Sequence, residues 1–374
     1  LLPVILSGGI GARLWPLSRE AWPKPFIRLP DGQILLEKCL NRLAALPGIH
    51  DFLTVTNERY LFPSQEVHSQ SGASHLQGHF LLEPEGRNTA PAICLAALWA
   101  IERDADATLL ILPADHYIDD AMSWAADVER ARVLAQSGQL VTFGIPPKSP
   151  ATGFGYIHAK AAEHGQLEVL DFTEKPSLEI AHSFLKAGDF YWNSGMFCFR
   201  ADAILSALEV FALDIYFPVK QVWDNIKVDQ LTTHLDPKLY AGVASRSIDY
   251  AVMEKASNVS MIAAGFDWSD VGDWASVSDL IDPDLDGNQI SSEQVLAIEA
   301  SGSFIQADRR VVAAIGIDNL LIVDTPDALL VARRDRAQLV GQVVDHLKAS
   351  NNPAYLEHKS LVRPWGSFTI LGEG

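Results

Sequence analysis

The stretch LSGGIGARLWPLS occupies residues 6–18, and the segment PKP follows it at residues 23–25. An apolar, strand-like segment here leads into a glycine-rich turn. Glycine lets backbone N–H groups approach phosphate oxygens closely because it has no Cβ. Arg13 and Lys24 add positive charge where a triphosphate would lie. The stretch therefore predicts a nucleotide-binding site; the alternative is a tight strand–helix turn with a surface arginine.

The pattern around this turn differs from two other phosphate-binding motifs. No Gly-Lys-Ser or Gly-Lys-Thr ends the loop, as a P-loop requires. No acidic residue stands about 20 positions further on beside a second βαβ strand, as a dinucleotide-binding fold expects. The turn is therefore predicted to bind a nucleotide in another way.

Strand-like and helix-like segments alternate through the first two thirds of the chain. The strand-like segments are short and apolar, and helix-period segments lie between them at 35–46, 90–103 and 123–136. This alternation predicts an α/β fold with a Rossmann-like, mixed and mostly parallel sheet, in which ligands bind at the carboxyl ends of strands. The predicted strands are Leu2–Leu6, Phe52–Thr56, His79–Leu82, Thr108–Leu112 and Leu140–Phe143.

A smaller C-terminal part of the chain is predicted to be all β. Short apolar segments recur at nearly even spacing over 295–331 with turn residues between them, and they indicate a unit that is either flat or coiled. The segments have no strict hexapeptide repeat, so a long β-helix is not expected. Exposed strand edges favour self-association, and we expect a homodimer. We expect a transferase domain at 1–282, the β unit at 283–347 and a tail at 348–374.

Composition and charge narrow the possible partners. The net charge of −18 argues against nucleic acid and gives no support for anionic membranes. No apolar run reaches the roughly 18 residues of a membrane span, and no signal-peptide pattern is present, so we expect a cytoplasmic protein. The three cysteines lack metal-ligand spacing and are expected to be buried thiols. The overall negative charge of the protein would repel anionic substrates. The few lysine and arginine residues inside motifs are therefore the most informative candidates for binding such substrates.

Two further motifs follow predicted strands. EPEGRNTAP at 83–91 is interpreted as a base-recognition loop, because a carboxylate or backbone carbonyls beside an amide side chain can recognise the N1–H, N2–H and O6 edge of guanine. The alternative is that Asn88 or Thr89 caps the next helix. Asp115, in LPADH at 112–116, ends an apolar strand and suits a hard oxygen ligand for Mg²⁺. Its alternative is also a helix cap.

The opening stretch resembles the signature of sugar-phosphate nucleotidyltransferases, the nucleoside-diphosphate-sugar pyrophosphorylases. The form with LWPLS at 14–18 is similar to the mannose-1-phosphate guanylyltransferase branch of that family, and 83–91 resembles the guanylyl version of the base-binding loop. The resemblance covers essentially the whole chain. Family members commonly have Ser and Thr where this chain has Ile10 and Ala12, so any hydroxyl contact to phosphate is lost there, whereas backbone contacts need not be lost.

The resemblance implies a role for each matching residue. It makes Arg13 and Lys24 catalytic phosphate-binding residues. It also makes Asp270, in DWSDVGDW at 267–274, the second metal ligand beside Asp115, whereas Asp267 and Asp273 are expected to be caps or surface residues. The implied nucleotide contacts are Leu6, Ser7, Gly8, Gly9, Gly11, Glu83, Asn88 and Thr89. The implied sugar-phosphate contacts are Gly155, Glu174, Lys175 and Asn193, with 247–255 shaping the sugar side; the alternative for Glu174 and Lys175 is a solvated strand end.

The implied reaction is that of GTP with α-D-mannose 1-phosphate, with Mg²⁺, to give GDP-mannose and diphosphate. A pyrophosphorylase for UTP or dTTP and glucose 1-phosphate remains an alternative, as does a non-catalytic regulatory relative. RPWGSF at 363–368 resembles the start of the cupin-type isomerase module of bifunctional relatives. The metal ligands of that module would lie beyond Gly374, so no isomerase activity is expected.

Overall fold

The computed structural model describes residues 1–162, 166–226, 231–363 and 366–369, and the chain divides into two units. Pro364 and Trp365 of the RPWGSF motif lie outside the described residues, as do residues 370–374 of the expected tail. Unit 1 comprises Leu1–Gly8, Cys39–Ala114 and Ile118–Trp268, and unit 2 comprises Gly9–Lys38, Asp115–Tyr117 and Ser269–Gly374.

Among the described residues of unit 1, ten strands form one sheet. All five predicted strands are present in it. The strands are β1 (Leu2–Ser7), β2 (Asp51–Asn57), β3 (Gln77–Glu83), β4 (Thr108–Pro113), β5 (Leu140–Ile145), β6 (Gly155–Ala161), β7 (Leu167–Glu174), β8 (Phe190–Arg200), β9 (Thr232–His234) and β10 (Val259–Ala263).

The spatial order of the sheet is β5-β10-β7-β6-β8-β4-β1-β2-β3-β9. The run from β4 to β9 is parallel, whereas β6, β7 and β8 pair in antiparallel fashion, which confirms the expected mixed sheet. In the parallel register Leu6 lies beside Pro113 and Asn57 beside Glu83. The glycine turn, the base-loop motif and the LPADH motif therefore all follow strands that end at the same edge of the sheet.

One helix of unit 1 is apolar on all sides. Every residue from Ala90 to Ala100 is buried, because this segment carries no charged side chain and packs in the main apolar core. The segment 61–70 is also helical, although its proline and polar residues give no amphipathic stripe that would predict a helix. The helices are α1 (Leu35–Ala44), α2 (Leu61–Gln70), α3 (Thr89–Ile101), α4 (Ala121–Gln136), α5 (Leu178–Ala187), α6 (Ala201–Phe211), α7 (Leu213–Asp224) and α8 (Pro237–Tyr240).

The strands of unit 2 coil. Successive strands alternate between two parallel stacks, one of β11, β13 and β15 and one of β12 and β14. The sequence left open whether this unit is flat or coiled, and the structure shows the coiled form. The elements are α9 (Trp274–Ser278), β11 (Gln289–Ile290), β12 (Val295–Ile298), β13 (Phe304–Gln306), β14 (Val312–Ile315), β15 (Leu320–Asp324), β16 (Leu329–Arg333), α10 (Val340–Ala349), β17 (Ser360–Arg363) and β18 (Gly366–Thr369).

Two expectations from composition can be compared with the structure. No helix in the described part of the chain is long and apolar enough to cross a membrane. Cys39, Cys94 and Cys198 are buried and free, which confirms the prediction of buried thiols.

Within unit 2, one apolar core joins the coiled strands to the residues that follow the glycine turn. Leu14 and Trp15 share this core with Trp274 and Phe304. The indole Nε1 of Trp274 donates to the backbone carbonyl of Trp15 at 2.9 Å, and its ring centroid lies 5.8 Å from that of Phe304. The coiled strands therefore support the backbone that follows Arg13.

We expect Phe304→Ala to lower the free energy of unfolding by about 3–5 kcal/mol, because it leaves a cavity under Trp274. Urea unfolding followed by tryptophan fluorescence would measure this. The same substitution at Phe217, whose side chain is 57% exposed, is the control and should have a much smaller effect. Equal losses for the two variants would contradict the assigned core.

Candidate functional site

A largely buried ion pair, whose aspartate side chain is 22% exposed, lies among the charged residues of unit 2. The Lys24 ammonium contacts the Asp115 carboxylate, with Nζ 2.7 Å from Oδ2, and it also donates to the backbone carbonyl of Asp270. Lys24 lies between Pro23 and Pro25 and is the first residue of a short 3₁₀ turn. The two proline rings restrict the backbone here. The Lys24 side chain is only 9% exposed. The lysine assigned to catalysis and the two aspartates assigned to the metal thus come together within one unit.

Gly11 gives the Lys24 side chain room to reach this position. The φ angle of Gly11 is +68°, and a Cβ added there would lie 2.6 Å from the Cβ of Lys24. Any larger residue at position 11 would therefore be strained and would displace the lysine. The Ser18 hydroxyl closes the turn by donating to the Gly11 carbonyl at 2.6 Å.

Arg13 and Asp270 approach a common point beside Gly272. A Cβ added at Gly272 would lie 2.5 Å from Asp270 Oδ2 and 3.1 Å from a terminal nitrogen of Arg13. Val271, the buried residue between Asp270 and Gly272 in the chain, has a φ of +45°, which β-branched residues rarely adopt. Strain of this kind persists where the surrounding structure enforces it, often at functional sites. The local backbone thus brings a carboxylate and a guanidinium to one place.

Arg13 has a second partner in the C-terminal part of unit 2. Its guanidinium donates to Gln338 Oε1 at 2.8 Å, and the amide nitrogen of Gln338 donates to Asp273. Asp273 also caps α9 by accepting from the backbone N–H of Ser276 at 3.0 Å, in agreement with the cap expected for it. Arg13 is therefore linked through Gln338 to a helix cap.

The two aspartates experience different fields. Burial alone would raise the pKa of Asp115, but the Lys24 ammonium, with help from His116, holds it below its usual value. Burial raises the pKa of Asp270; Lys24 opposes this rise, and the Asp115 carboxylate adds to it. Asp270 is thus a carboxyl group whose negative charge is incompletely compensated within unit 2.

This donor set fits a hard divalent cation. Within the described ranges no group of three or more His, Cys, Asp or Glu side chains is placed to hold a metal ion, so the protein would offer the two carboxylates of Asp115 and Asp270. Mg²⁺ is commonly held by one or two carboxylates together with substrate phosphates and water. Asp115 is not the cap of α4, because Asp120 takes that place by accepting from Ser123 N–H at 2.9 Å.

In unit 1, the base-loop motif begins with a buried carboxyl group. Tyr240 O–H donates to Glu83 at the end of β3. Burial raises the pKa of Glu83 to about 7, while the Tyr240 hydroxyl and the Arg87 backbone N–H limit the rise. The Glu83 carboxyl group is thus engaged with its own loop and with Tyr240.

The next residues of the motif also have protein partners. Asn88 has a φ of +68°, and its side chain accepts from the Thr89 N–H at 2.8 Å at the start of α3, so the capping alternative holds for Asn88. The Thr89 hydroxyl accepts from the Ile248 N–H at 2.8 Å. In contrast, the buried hydroxyl of Ser7 at the end of β1 has no hydrogen-bond partner among the described residues.

The four predicted sugar-phosphate residues lie in or beside the antiparallel part of the sheet. Gly155 is paired with Glu174 across β6 and β7. Lys175 Nζ lies 3.2 Å from Glu174 Oε1, and the exposed lysine has a φ of +46°. Asn193 Nδ2 donates to Asp249 at 2.7 Å, and burial is the main cause that raises the pKa of Asp249.

Three side chains that the sequence did not assign individually contact the predicted residues. Asp249 belongs to the block 247–255 that was expected only to shape the sugar side. Tyr240 and Gln338 lie far along the chain from their partners and stand in no motif, so the sequence carries no local signal for them.

The raised pKa of Glu83 predicts a loss of stability as the pH rises. The neutral carboxyl group is the favoured form in the fold, so its contribution is complete below its usual pKa of 4.5 and is lost as the pH passes through about 7. We expect Glu83→Gln to reduce the fall in melting temperature between pH 5 and pH 8, and the exposed Glu85→Gln to leave that fall unchanged. A wild-type pH dependence in Glu83→Gln would contradict the assignment.

Comparisons with known proteins identify the family of the chain. Residues 2–286 match the Nucleotidyl transferase family, and residues 293–347 match the MannoseP isomerase/GMP-like beta-helix domain. Xanthan biosynthesis protein XanB of Xanthomonas campestris is 41% identical over 100% of this chain and 79% of its own length. The mannose-1-phosphate guanylyltransferase of Klebsiella pneumoniae is 40% identical over 99% of this chain and 79% of its own length.

A solved structure from Thermus thermophilus, described as a mannose-1-phosphate geranyltransferase, is 33% identical with a TM-score of 0.82, covering 93% of this chain and 99% of its own. Sequence and fold agree over nearly the whole length in these comparisons. The chain belongs to the nucleotidyl transferase family.

Proposed function

We propose that this protein makes GDP-mannose and diphosphate from GTP and α-D-mannose 1-phosphate. An oxygen of the sugar phosphate forms a bond to the α-phosphorus of GTP, and the bond from that phosphorus to the oxygen bridging to the β-phosphate breaks. The observation that carries the proposal is the meeting of Arg13, Lys24, Asp115 and Asp270 in unit 2. The names of relatives such as the Klebsiella guanylyltransferase support the choice of nucleotide and sugar.

The charged residues suit a reaction whose main obstacle is repulsion between anions. The attacking phosphate oxygen is already ionised near pH 7, so no side chain has to remove a proton. Catalysis then depends on positioning and charge neutralisation. Lys24 has three N–H groups; two have the partners Asp115 and Asp270. We assign the third to the α-phosphoryl group, and we assign Arg13 to the departing diphosphate.

Enzymes of this family generally use a divalent metal, and we propose Mg²⁺ for this chain. Asp115 and Asp270 would hold it, because each supplies carboxylate oxygens. The raised pKa of Asp270 reflects a negative charge that is incompletely compensated, and a bound cation would offset that charge. When bound, the ion would offset negative charge on the phosphate oxygens. The residues Leu6, Ser7, Gly8, Gly9 and Gly11 would supply the turn around the nucleotide.

We assign the base and the sugar to groups of unit 1. The loop held by Glu83, Asn88 and Thr89 would recognise guanine, mainly through its backbone, because all three side chains have protein partners. Glu174 and Asn193 would accept and donate hydrogen bonds to mannose hydroxyls beside Gly155, and Lys175 would contact the sugar phosphate as a point charge. The unpartnered Ser7 hydroxyl supports a ligand at the end of β1.

We also propose the functional division expected from the sequence, with transferase chemistry in 1–282, the β unit at 283–347 and the tail at 348–374. The homodimer stays a prediction, and sedimentation equilibrium would check it.

A panel of nucleotides and sugar phosphates tests the specificity. We expect the fastest diphosphate release with GTP and mannose 1-phosphate, in the presence of Mg²⁺. Faster release with UTP or dTTP and glucose 1-phosphate would support the other pyrophosphorylase activity. Absence of release with every pair would support a non-catalytic relative and contradict the proposal.

Removal of either metal carboxylate tests the mechanism. We expect Asp115→Ala and Asp270→Ala to lower the rate by roughly 10²–10³, as the loss of one charged transition-state contact commonly does. Asp267→Ala is the matched control, because this side chain lies in the same motif as Asp270 and is 77% exposed. Full turnover by Asp115→Ala or Asp270→Ala at ordinary Mg²⁺ would contradict the metal assignment.

A further inference from the structure

Gln338 contacts the Arg13 guanidinium from the C-terminal part of unit 2. Its Oε1 accepts from Arg13 at 2.8 Å while its amide nitrogen donates to Asp273. Asp273 is itself fixed, because it caps α9 and accepts from Ser276. Arg13 thus has one terminal nitrogen on Gln338 and the other near Asp270 Oδ2, beside Gly272.

The amide side chain of Gln338 satisfies both neighbours at once, because it carries an acceptor and a donor. The group between Arg13 and Asp273 must accept from a guanidinium, which has only donors, and donate to a carboxylate, which has only acceptors. A glutamate would accept from Arg13 but would place a second carboxylate against Asp273. A lysine would donate to Asp273 but would repel Arg13. The pairing therefore requires a side chain that both accepts and donates, as glutamine does.

The turn that carries Gln338 is itself held by hydrogen bonds. Gln338 lies in a 3₁₀ turn at Arg334–Leu339, between β16 and α10. The guanidinium of Arg334 donates to Ser278 Oγ at 2.7 Å and to the Gly302 carbonyl at 3.1 Å. In α10, a Cβ added at Gly341 would lie 3.7 Å from Arg13 Cγ, so the stem of Arg13 also packs closely here.

We propose that Gln338 is a positioning residue for Arg13, and that it keeps the guanidinium from collapsing onto the neighbouring carboxylate of Asp270. A guanidinium paired with Asp270 would occupy donors that are needed for phosphate and an oxygen that is needed for the cation. This inference rests on the proposed function, in which Arg13 binds the departing diphosphate. It gives the segment after the coiled strands an indirect part in the reaction, because that segment supplies the partner of a catalytic residue.

Steady-state kinetics of Gln338→Ala, with GTP varied, test the proposal. We expect kcat/KM to fall about 10- to 100-fold, by analogy with the loss of a partner that orients a metal-ligating side chain, with the melting temperature near that of the wild type. Gln338→Glu should also be impaired, because it brings a carboxylate against Asp273. Gln342→Ala is the control, since this glutamine is exposed on α10.

A double-mutant cycle separates positioning from a structural role. In an Arg13→Ala background, the added Gln338→Ala change should leave kcat/KM nearly unchanged, because the residue to be positioned is gone. The same fold-loss in both backgrounds, or wild-type kinetics in Gln338→Ala, would overturn the proposal.

Titration calorimetry with inorganic diphosphate compares the wild type with Gln338→Ala without the need for turnover. A wild-type protein that binds diphosphate but makes no GDP-mannose would contradict the proposed function alone. Weaker diphosphate binding by Gln338→Ala would then still support Gln338 as the positioning residue, and unchanged binding would overturn that role.

Discussion

The contact of the Lys24 ammonium with the Asp115 carboxylate and the Asp270 carbonyl constrains much of unit 2. Removal of one partner of a buried ion pair typically lowers the stability of a protein by about 3–5 kcal/mol. The fold is therefore stable only if the surrounding backbone holds both partners in contact. Gly11 leaves room for the lysine stem, two prolines restrict the turn that carries it, and Val271 adopts a rare positive φ beside Asp270. These features belong to separate segments that meet around one buried cation.

The two units offer different chemistry in a protein of net charge −18. In unit 1 the carboxyl group of Asp249 has a raised pKa, chiefly through burial and also through the nearby Glu174. Such oxygens suit the hydroxyl donors of a sugar. In unit 2, Arg13 and Lys24 are the groups suited to phosphate. The overall charge therefore says little about what each unit can bind, because local cations and local carboxyl groups decide it.

The sequence predicted those features that rest on local patterns. Apolar runs such as Leu2–Leu6 and the glycine turn after them mark a strand and its carboxyl end, and the structure has β1 there. The α/β class and the flat or coiled β unit were predicted from the same local patterns, namely short apolar runs separated by turn residues or helix-period segments. The helix at 61–70 was not predicted, because tertiary packing rather than an amphipathic stripe stabilises it. Contacts such as Tyr240 with Glu83 and Gln338 with Arg13 join distant residues of ordinary type, and no local pattern encodes them.

A crystal structure with a non-hydrolysable GTP analogue and Mg²⁺ would show whether Arg13, Lys24, Asp115 and Asp270 form the triphosphate and metal site. We expect triphosphate oxygens within hydrogen-bonding distance of Arg13 and Lys24, and the ion ligated by carboxylate oxygens of Asp115 and Asp270. A triphosphate that is well ordered yet touches neither cation, with the ion held by other side chains, would contradict this expectation.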